Sequence, residues 1–270
     1  MSATIVDPIS RELTAVLRRL KLGKMLDTLP DRLTLARQQQ LSHAAFLELV
    51  LADEATRRDT NSARLRARAA GLDASMRIET WDETATVRFD HALWNELTSL
   101  RFLDAPHGAL ILGPVGVGKT HLATALGHIA VRRRHTVLMA RADKLFKRLK
   151  AARLDNTVEA EMRRLTQTQV LIIDDFALQP LDATETADFY ELIVARHRKT
   201  STLITSNRDA SEWLAMMTDP MLAQAAIDRV CSTAHELIIE GQSYRHRQKP
   251  NSGTTGASID PTQEGEQDAR

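Results

Sequence analysis

The sequence lacks several features that would point to a class of protein at once. It has one cysteine, Cys231, so an internal disulfide is excluded, and no His/Cys cluster has the spacing of a zinc site. Cys231 lies in a helical, partly apolar stretch, which favours a buried thiol over a nucleophile. The first residues carry no basic cap before an apolar core, and no run of about 18 apolar residues occurs. We therefore expect a cytoplasmic protein without a membrane partner.

An excess of charge of one sign is also missing. Lysine and arginine total 36 against 35 for aspartate and glutamate, and the net charge is +1. Overall charge therefore does not indicate a nucleic-acid-binding protein, and any basic surface has to be local. The 270 residues suffice for a core domain of about 150 residues and a smaller second domain.

The most informative stretch is ALILGPVGVGKTHLATAL, residues 109–126. An apolar run leads into a glycine-rich turn, and apolar residues then continue at helical spacing, so the order is strand, loop, helix. This is the context of a phosphate-binding loop, in which backbone N–H groups and the N-terminus of the helix face an anion. A chance glycine-rich turn is the alternative. The residues predicted to bind the nucleotide are Gly113, Pro114, Val115, Gly116, Val117, Gly118, Lys119, Thr120 and His121.

Two residues of this loop have further predicted roles. Lys119 reaches the outer phosphates and is predicted to be catalytic, and the hydroxyl of Thr120 is predicted to bind Mg²⁺.

Acidic residues follow a second apolar strand, residues 169–173. Because this strand ends at the carboxyl edge of a parallel sheet, Asp174 is predicted to hold Mg²⁺ directly or through water. Asp175 points differently and is predicted to act as the general base for the attacking water. A solvated turn is the alternative. Asn207, at the tip of the strand over residues 202–205, is predicted to hold water, although alone it would more often form a turn.

The N-terminal region reads as helix from residue 9 to about 71, broken at Pro30 and near Ser42, a predicted N-cap. Leucines at 13, 17, 20, 22 and 26 form one apolar stripe, and residues 46, 47, 50 and 51 form another. These stripes predict a small helical bundle, whose function would be docking or oligomerisation. Its last turn is rich in arginine, for which a solvated face is slightly favoured.

The segment from Gly71 to Pro106 leads into the core. Asp90 is predicted to cap a short helix. Trp81, Phe89 and Trp94 could approach a base, but core packing is favoured for each.

Strands near 109, 136, 169, 202 and 235 alternate with helices, which predicts a mainly parallel five-stranded α/β sheet. The predicted boundaries are a helical N-terminal domain at 1–72, a linker at 73–106, a nucleotide domain at 107–247 and a disordered tail at 248–270.

A basic stretch follows the phosphate loop. Nine lysines and arginines lie between residues 132 and 153, and Asp143 is the only acid among them. This excess suits sequence-independent contacts with the DNA backbone, and few aromatics lie nearby to stack on bases. The predicted DNA-binding residues are Arg132, Arg133 and Arg134, followed by Lys144, Lys147 and Arg148, which share a helical face.

Several segments together resemble IstB-like ATPases, the helper proteins of bacterial insertion sequences. They are GPVGVGKTHLATALG, LIIDDF, Pro180-Leu181, ITSN, Glu212-Trp213, AIDR and GQSYR. The phosphate loop and the acid strand are shared by all AAA+ ATPases, whereas the combination of Glu212-Trp213, AIDR and SYR is more specific. DnaC-like helicase loaders are similar over the same core.

The resemblance implies an AAA+ fold with a helical N-terminal domain, ATP and Mg²⁺ as cofactors, and DNA-stimulated hydrolysis. It also implies a homo-oligomer on DNA, with nucleotide at the subunit interfaces, that regulates a transposase in target selection. Arg229 corresponds to the arginine presented to a neighbouring subunit's nucleotide, and Arg245 to a second sensing arginine. Asp175 departs from the glutamate that many AAA+ enzymes carry there.

Other interpretations remain open from the residues. A helicase loader would grip another protein with the same core, and a small-molecule kinase would need an acceptor pocket with a lid of arginines. For Arg229, spacing alone favours a surface ion pair with Asp228.

Overall fold

The structure, a computed structural model, describes residues 9–82 and 87–244. Its N-terminal region is helical, with α1 at Arg11–Arg19, a short 3-10 turn at Gly23–Asp27, α2 at Leu29–Gln38 and α3 at His43–Ala69. The predicted N-cap is confirmed, because the Ser42 hydroxyl accepts a hydrogen bond from the Ala45 N–H at 3.2 Å. Pro30 lies in the first turn of α2, where its missing N–H leaves no helical hydrogen bond unmade.

The two leucine stripes are only partly buried. Leu17, Met25, Leu29 and Val50 form a small core, and Phe46 packs against it. Other stripe positions are exposed, because each short helix faces a partner along only one line of side chains. The exposed members of the two stripes are Leu13, Leu20, Leu47 and Leu51.

Helix α3 runs from this small core into the larger one. Ala67 and Ala70, near its C-terminus, belong with Leu72 to a cluster that packs against the main sheet. Arg66 Nη2 donates to the Val131 carbonyl at 3.1 Å, and the Ala70 carbonyl accepts from the Met139 N–H at 2.7 Å. The last turns of α3 are therefore part of the core.

The remaining elements alternate in the predicted manner, and Asp90 caps α4 as expected. They are β1 at Val87–Arg88, α4 at His91–Ser99, β2 at Gly108–Leu112, α5 at Lys119–Arg132, β3 at Val137–Arg141, α6 at Ala142–Leu154, α7 at Val158–Gln167, β4 at Val170–Phe176, α8 at Ala183–Arg196, β5 at Ser201–Ser206, α9 at Pro220–Cys231, β6 at Ala234–Ile238 and β7 at Glu240–Gly241. Among the described residues, no helix is long and apolar enough to cross a bilayer.

Five of the strands form one parallel sheet in the order β3-β4-β5-β2-β6. The predicted α/β fold is confirmed. In a parallel sheet the carboxyl ends of the strands meet at one edge. Since β4, β5 and β2 are neighbours, the residues that follow these three strands come together there.

Alternation along β4 separates two faces of the sheet. Val170 and Ile172 point into the cluster formed with α3, α4 and α5, whereas Leu171 and Ile173 point into the cluster formed with α6 to α9. Helices α5 and α6, consecutive in the chain, therefore lie on opposite faces.

The contribution of α3 gives a test of the predicted boundary at residue 72. A chain starting at residue 73 would lack Ala67, Ala70 and Leu72, each at most 6% exposed. We expect its free energy of unfolding to fall by roughly 3 kcal/mol or more, measured by urea unfolding. A chain starting at residue 55 keeps these contacts and serves as the control. Equal stability of the two would contradict the packing role of α3.

Candidate nucleotide-binding site

The loop between β2 and α5 has the backbone that glycine allows. Gly113, Gly116 and Gly118 have φ angles of 147°, 86° and 97°. A Cβ on Gly118 would lie 2.6 Å from the ring of Trp81, and one on Gly113 would clash with the carbonyl of Ile239. Larger residues are therefore excluded by conformation and by space, and the loop stays closely wrapped at the N-terminus of α5.

Lys119 is the first residue of α5 and is 7% exposed. Its Nζ donates to the carbonyls of Gly113 at 2.8 Å and Pro114 at 2.7 Å. The ammonium group is therefore held within the loop, where a bound anion would meet the backbone N–H groups as well.

Asp174, near the end of β4, is buried and bonded to two hydroxyls. Thr120 Oγ1 donates to Asp174 Oδ1 at 3.0 Å, and Thr205 Oγ1 donates to the same oxygen at 2.6 Å. Burial raises the pKa of Asp174, and the two hydroxyl hydrogen bonds act in the opposite direction.

These oxygens fit a magnesium ion. A carboxylate and a threonine hydroxyl in contact are hard oxygen ligands. Among the described residues, no group of three or more histidine, cysteine or acidic side chains could hold a metal. An ion held by Asp174 and Thr120 would therefore need further oxygens from phosphate or water, as Mg²⁺ does in nucleotide sites.

The neighbouring acid is turned toward a cavity by an irregular backbone. The pairing of β4 with β5 shifts register between Ile173 and Phe176, and Asp175 has a φ angle of 54°. The Asp175 N–H donates to Thr205 Oγ1 at 2.9 Å, and its Oδ2 lies 3.9 Å from Arg141 Nε. The two adjacent acids therefore lie in different environments: Asp174 is buried, and the Asp175 side chain is 39% exposed.

A cavity of about 410 Å³ brings most of the predicted residues together, although Gly113, Pro114 and Asp174 are not in its lining. Its wall includes the whole of residues 115–121 together with Asp175 and Asn207. His121 Nε2 donates to the Arg77 carbonyl at 2.8 Å, which ties α5 to the segment on the other side of the cavity. The loop, the second acid and the amide therefore share one space large enough for a small ligand.

The structure differs from the sequence prediction at two residues of this site. Trp81, for which core packing was favoured over contact with a base, lines the cavity and contacts His121 edge to face, with 5.3 Å between the ring centres, whereas Trp94 is buried in the core. Thr205, which bonds Asp174 and the backbone of Asp175, was not predicted either. The feature that could have indicated Thr205 is a hydroxyl near the end of a buried strand that pairs with the acid strand.

Arg229 lies apart from the cavity. It is near the C-terminus of α9, just before β6 begins, at the edge of the sheet opposite the phosphate loop. Its Nη1 donates to the Ala225 carbonyl at 2.6 Å, and its guanidinium lies 6.0 Å from the centre of the Tyr190 ring. Over the described ranges no ion pair joins it to Asp228, contrary to the expectation from spacing. Arg245 lies outside the described residues.

The predicted DNA-binding residues do not form one surface. Arg132, Arg133 and Arg134 end α5 and Lys144, Lys147 and Arg148 lie on α6, so the two groups belong to opposite faces.

Acids distant in sequence also pair with part of this set. Arg132 bonds Glu79 at 3.2 Å, Arg134 bonds Asp59 at 3.1 Å, and Arg148 bonds Glu161. Lys144 and Lys147 are exposed and have no ion pair within the described part of the chain.

Comparisons with known proteins agree with this geometry. A family profile described as IstB-like ATP binding protein matches residues 15–252. An ATP-binding protein in an insertion sequence of Mycobacterium tuberculosis is 38% identical over 93% of this chain and 100% of its own length. The ATP-binding protein of insertion sequence IS21 of Pseudomonas aeruginosa is 32% identical over 94% of this chain and 96% of its own.

Among solved structures, the DnaC helicase loader is similar in fold. It superposes with a TM-score of 0.50 at 19% sequence identity, over 55% of this chain and 87% of that one. The phosphate loop, the acid strand and the match over most of the sequence lead to one conclusion: this chain belongs to the IstB-like ATP-binding protein family.

Proposed function

We propose that this protein is an ATPase that binds ATP with Mg²⁺, assembles with copies of itself on DNA and regulates a partner transposase in DNA transposition. The observation that carries the proposal is the arrangement at the carboxyl edge of the sheet. Residues 115–121 of the phosphate loop and Asp175 line one cavity, and Thr120 in that lining bonds the buried Asp174. The insertion-sequence relatives support the transposase as partner.

Each residue of the site has a chemical task in this proposal. The N–H groups of the loop and Lys119 bind the β- and γ-phosphates, and Thr120 and Asp174 hold Mg²⁺, which offsets the phosphate charge. Asp175 faces the cavity and accepts a proton from the attacking water, while Asn207 orients that water through its amide.

Thr205 positions both acids, and removing its hydroxyl tests that role. In Thr205→Val, Asp174 loses a hydrogen bond to its charged form, so its pKa rises above the already raised value. Because Mg²⁺ and the proton compete for this carboxylate, the acid limb of activity lies below the pKa of the metal-free site and moves upward with it. We expect the acid limb of ATP hydrolysis to shift to higher pH in Thr205→Val and not in Thr205→Ser. An unchanged acid limb in Thr205→Val would contradict the positioning role.

The α6 face is one proposed contact with DNA. Lys144, Lys147 and Arg148 are exposed on that helix, and the first two have no ion pair among the described residues. Replacing all three with alanine is expected to weaken binding similarly on every DNA sequence, since only backbone phosphates are contacted. The slope of log K against log salt should flatten by up to about 3, measured by fluorescence anisotropy. An unchanged slope would indicate a solvated face.

Two measurements test the proposed function. One is the rate of ATP hydrolysis with and without duplex DNA, and the other is the molecular mass of the protein in solution in the presence of a non-hydrolysable ATP analogue. We expect DNA to stimulate phosphate release and the analogue to convert the protein into an oligomer. A rate of ATP hydrolysis that duplex DNA does not change, in a protein that stays monomeric with the analogue, would contradict the proposal.

Helicase loading is the second candidate, favoured by the similarity in fold to the DnaC helicase loader. Binding to the transposase of the same element or to a replicative helicase separates the two. A small-molecule kinase is the third candidate, and it would need a lid of arginines, whereas no arginine lines the cavity among the described residues.

A further inference from the structure

A second cavity, also of about 410 Å³, lies on the face of the sheet that carries α5. Its walls are the C-terminal half of α3, the segment after it and the C-terminal half of α5. Alanines and Val131 contribute to its lining, and no aromatic ring other than the imidazole of His128 lines it within the described residues. Four arginines also line it: Arg64, Arg68, Arg77 and Arg132. We call this space the arginine cavity.

Two acids beside the arginine cavity are already paired with arginines. Asp59 is the only acid in its lining among the described residues, and it bonds Arg134, which is not in that lining. Glu79 bonds Arg132 at 3.2 Å. Arg64 and Arg68 are exposed and have no ion pair in the described chain. Positive charge in this space therefore exceeds the negative charge that faces it.

Arg77 is a half-buried residue of the lining with one unsatisfied donor. Its Nε is buried, and the described residues offer it no hydrogen-bond acceptor. Leaving such a donor unsatisfied typically costs about 1–3 kcal/mol, more for a charged group. An anion with several acceptor oxygens would satisfy it, and guanidinium groups bind phosphate oxygens in pairs.

We propose that the arginine cavity binds phosphates of the DNA backbone, so that helix α3 takes part in holding DNA. The inference rests on the proposed association with DNA and adds to the α6 contact a second contact on the face of the sheet that carries α5. Arg64 and Arg68 are four residues apart on α3, or about 6 Å along its axis, and can reach neighbouring phosphates of one strand. The lack of a ring other than imidazole in the lining argues against a free nucleotide, whose base would need a stacking partner.

The arginine cavity shares a wall with the nucleotide cavity. Residues 74 and 77 line the former, and residues 75, 76, 80 and 81 line the latter. Two histidines of α5 hold this segment: His121 donates to the Arg77 carbonyl and His128 to the Asp73 carbonyl, both at 2.8 Å. The segment of residues 74–81 would thus contact DNA phosphate in one cavity and the nucleotide in the other.

The test replaces two exposed arginines for which no ion pair occurs among the described residues. Arg64→Ala/Arg68→Ala is compared with Arg163→Ala/Lys199→Ala, which removes two exposed charges elsewhere. The probe is a fluorescent 30-base-pair duplex, titrated at several salt concentrations with the full chain in a non-hydrolysable ATP analogue. We expect the salt slope to fall by about 1.8 in the arginine-cavity variant and to stay at the wild-type value in the control.

Chemical footprinting gives a second measurement. Phenylglyoxal modifies accessible arginines, and DNA should protect Arg64, Arg68, Arg77 and Arg132. Two results would overturn the inference and leave the proposed function intact. One is an Arg64→Ala/Arg68→Ala variant that binds the duplex as tightly as the wild type and with the same salt slope. The other is a wild-type protein that binds DNA without protection of these arginines. If the wild-type protein does not bind the duplex at all, the proposed association with DNA fails and the inference fails with it.

Discussion

Lys119→Ala is expected to abolish ATP binding, whereas Asp175→Asn should bind ATP normally and lose turnover. Lys119 is the buried cation held inside the phosphate loop, so its removal leaves the charge of the outer phosphates uncompensated. Asp175 lines the cavity from the end of β4. Loss of a general base typically lowers the rate by about 10²–10⁴-fold. Calorimetry measures the binding, and phosphate release measures the turnover.

The backbone at Asp175 makes asparagine a well-matched replacement. Its φ angle of 54° is one that asparagine and aspartate adopt more readily than most residues. Asp175→Asn therefore removes the charge without adding backbone strain, and its unfolding midpoint should equal that of the wild type. Wild-type ATP affinity in Lys119→Ala would overturn the nucleotide site, and wild-type turnover in Asp175→Asn would remove the acid from catalysis.

Arg229→Ala is expected to bind ATP almost normally and to lose most of its hydrolysis. Arg229 lies at the edge of the sheet opposite the phosphate loop of its own chain, so any phosphate it meets must belong to a neighbouring subunit. An arginine supplied in this way typically raises turnover by about 10³–10⁵-fold. Activity should also rise steeply with protein concentration, because only assembled subunits complete the site.

Mixing two inactive variants provides the decisive measurement. Arg229→Ala keeps an intact pocket, and Lys119→Ala keeps the arginine, so some interfaces of a mixed assembly combine the two intact halves. We expect the mixture to recover hydrolysis. A chain with both substitutions, mixed with Arg229→Ala, supplies no arginine and should remain inactive. If co-assembly is demonstrated and the first mixture stays inactive, Arg229 does not act across an interface.

Local pattern predicted the elements of this fold well. Apolar runs placed the five strands of the sheet, and Ser42 and Asp90 start helices because their oxygens accept N–H groups of the first turn. The order of loop, acid strand and amide strand then predicted one shared edge, which the cavity confirms.

What escaped prediction depends on contacts between distant residues. The periodicity of a strand does not reveal the register shift that turns Asp175, nor that Thr205 lies beside both acids. Glu161 pairs with Arg148 from a different helix, so counting charges along the chain overestimated the basic surface. The Glu212-Trp213 segment was recognised only by resemblance. In the structure, Trp213 is fully buried, and its Nε1 donates to Ser206 Oγ at 3.2 Å.

Helix α3 has a mechanical consequence for the whole chain. It is continuous over 27 residues, or about 40 Å, and contains no proline or glycine at which it could bend. Its last turns are fixed to α5, whose first turn carries Lys119 and Thr120, and its first turns hold the N-terminal helices. A tilt of about 5° at the sheet would move the far end by about 3 Å. The helix is therefore a rigid connection, so a movement of its last turns would be carried to the N-terminal region.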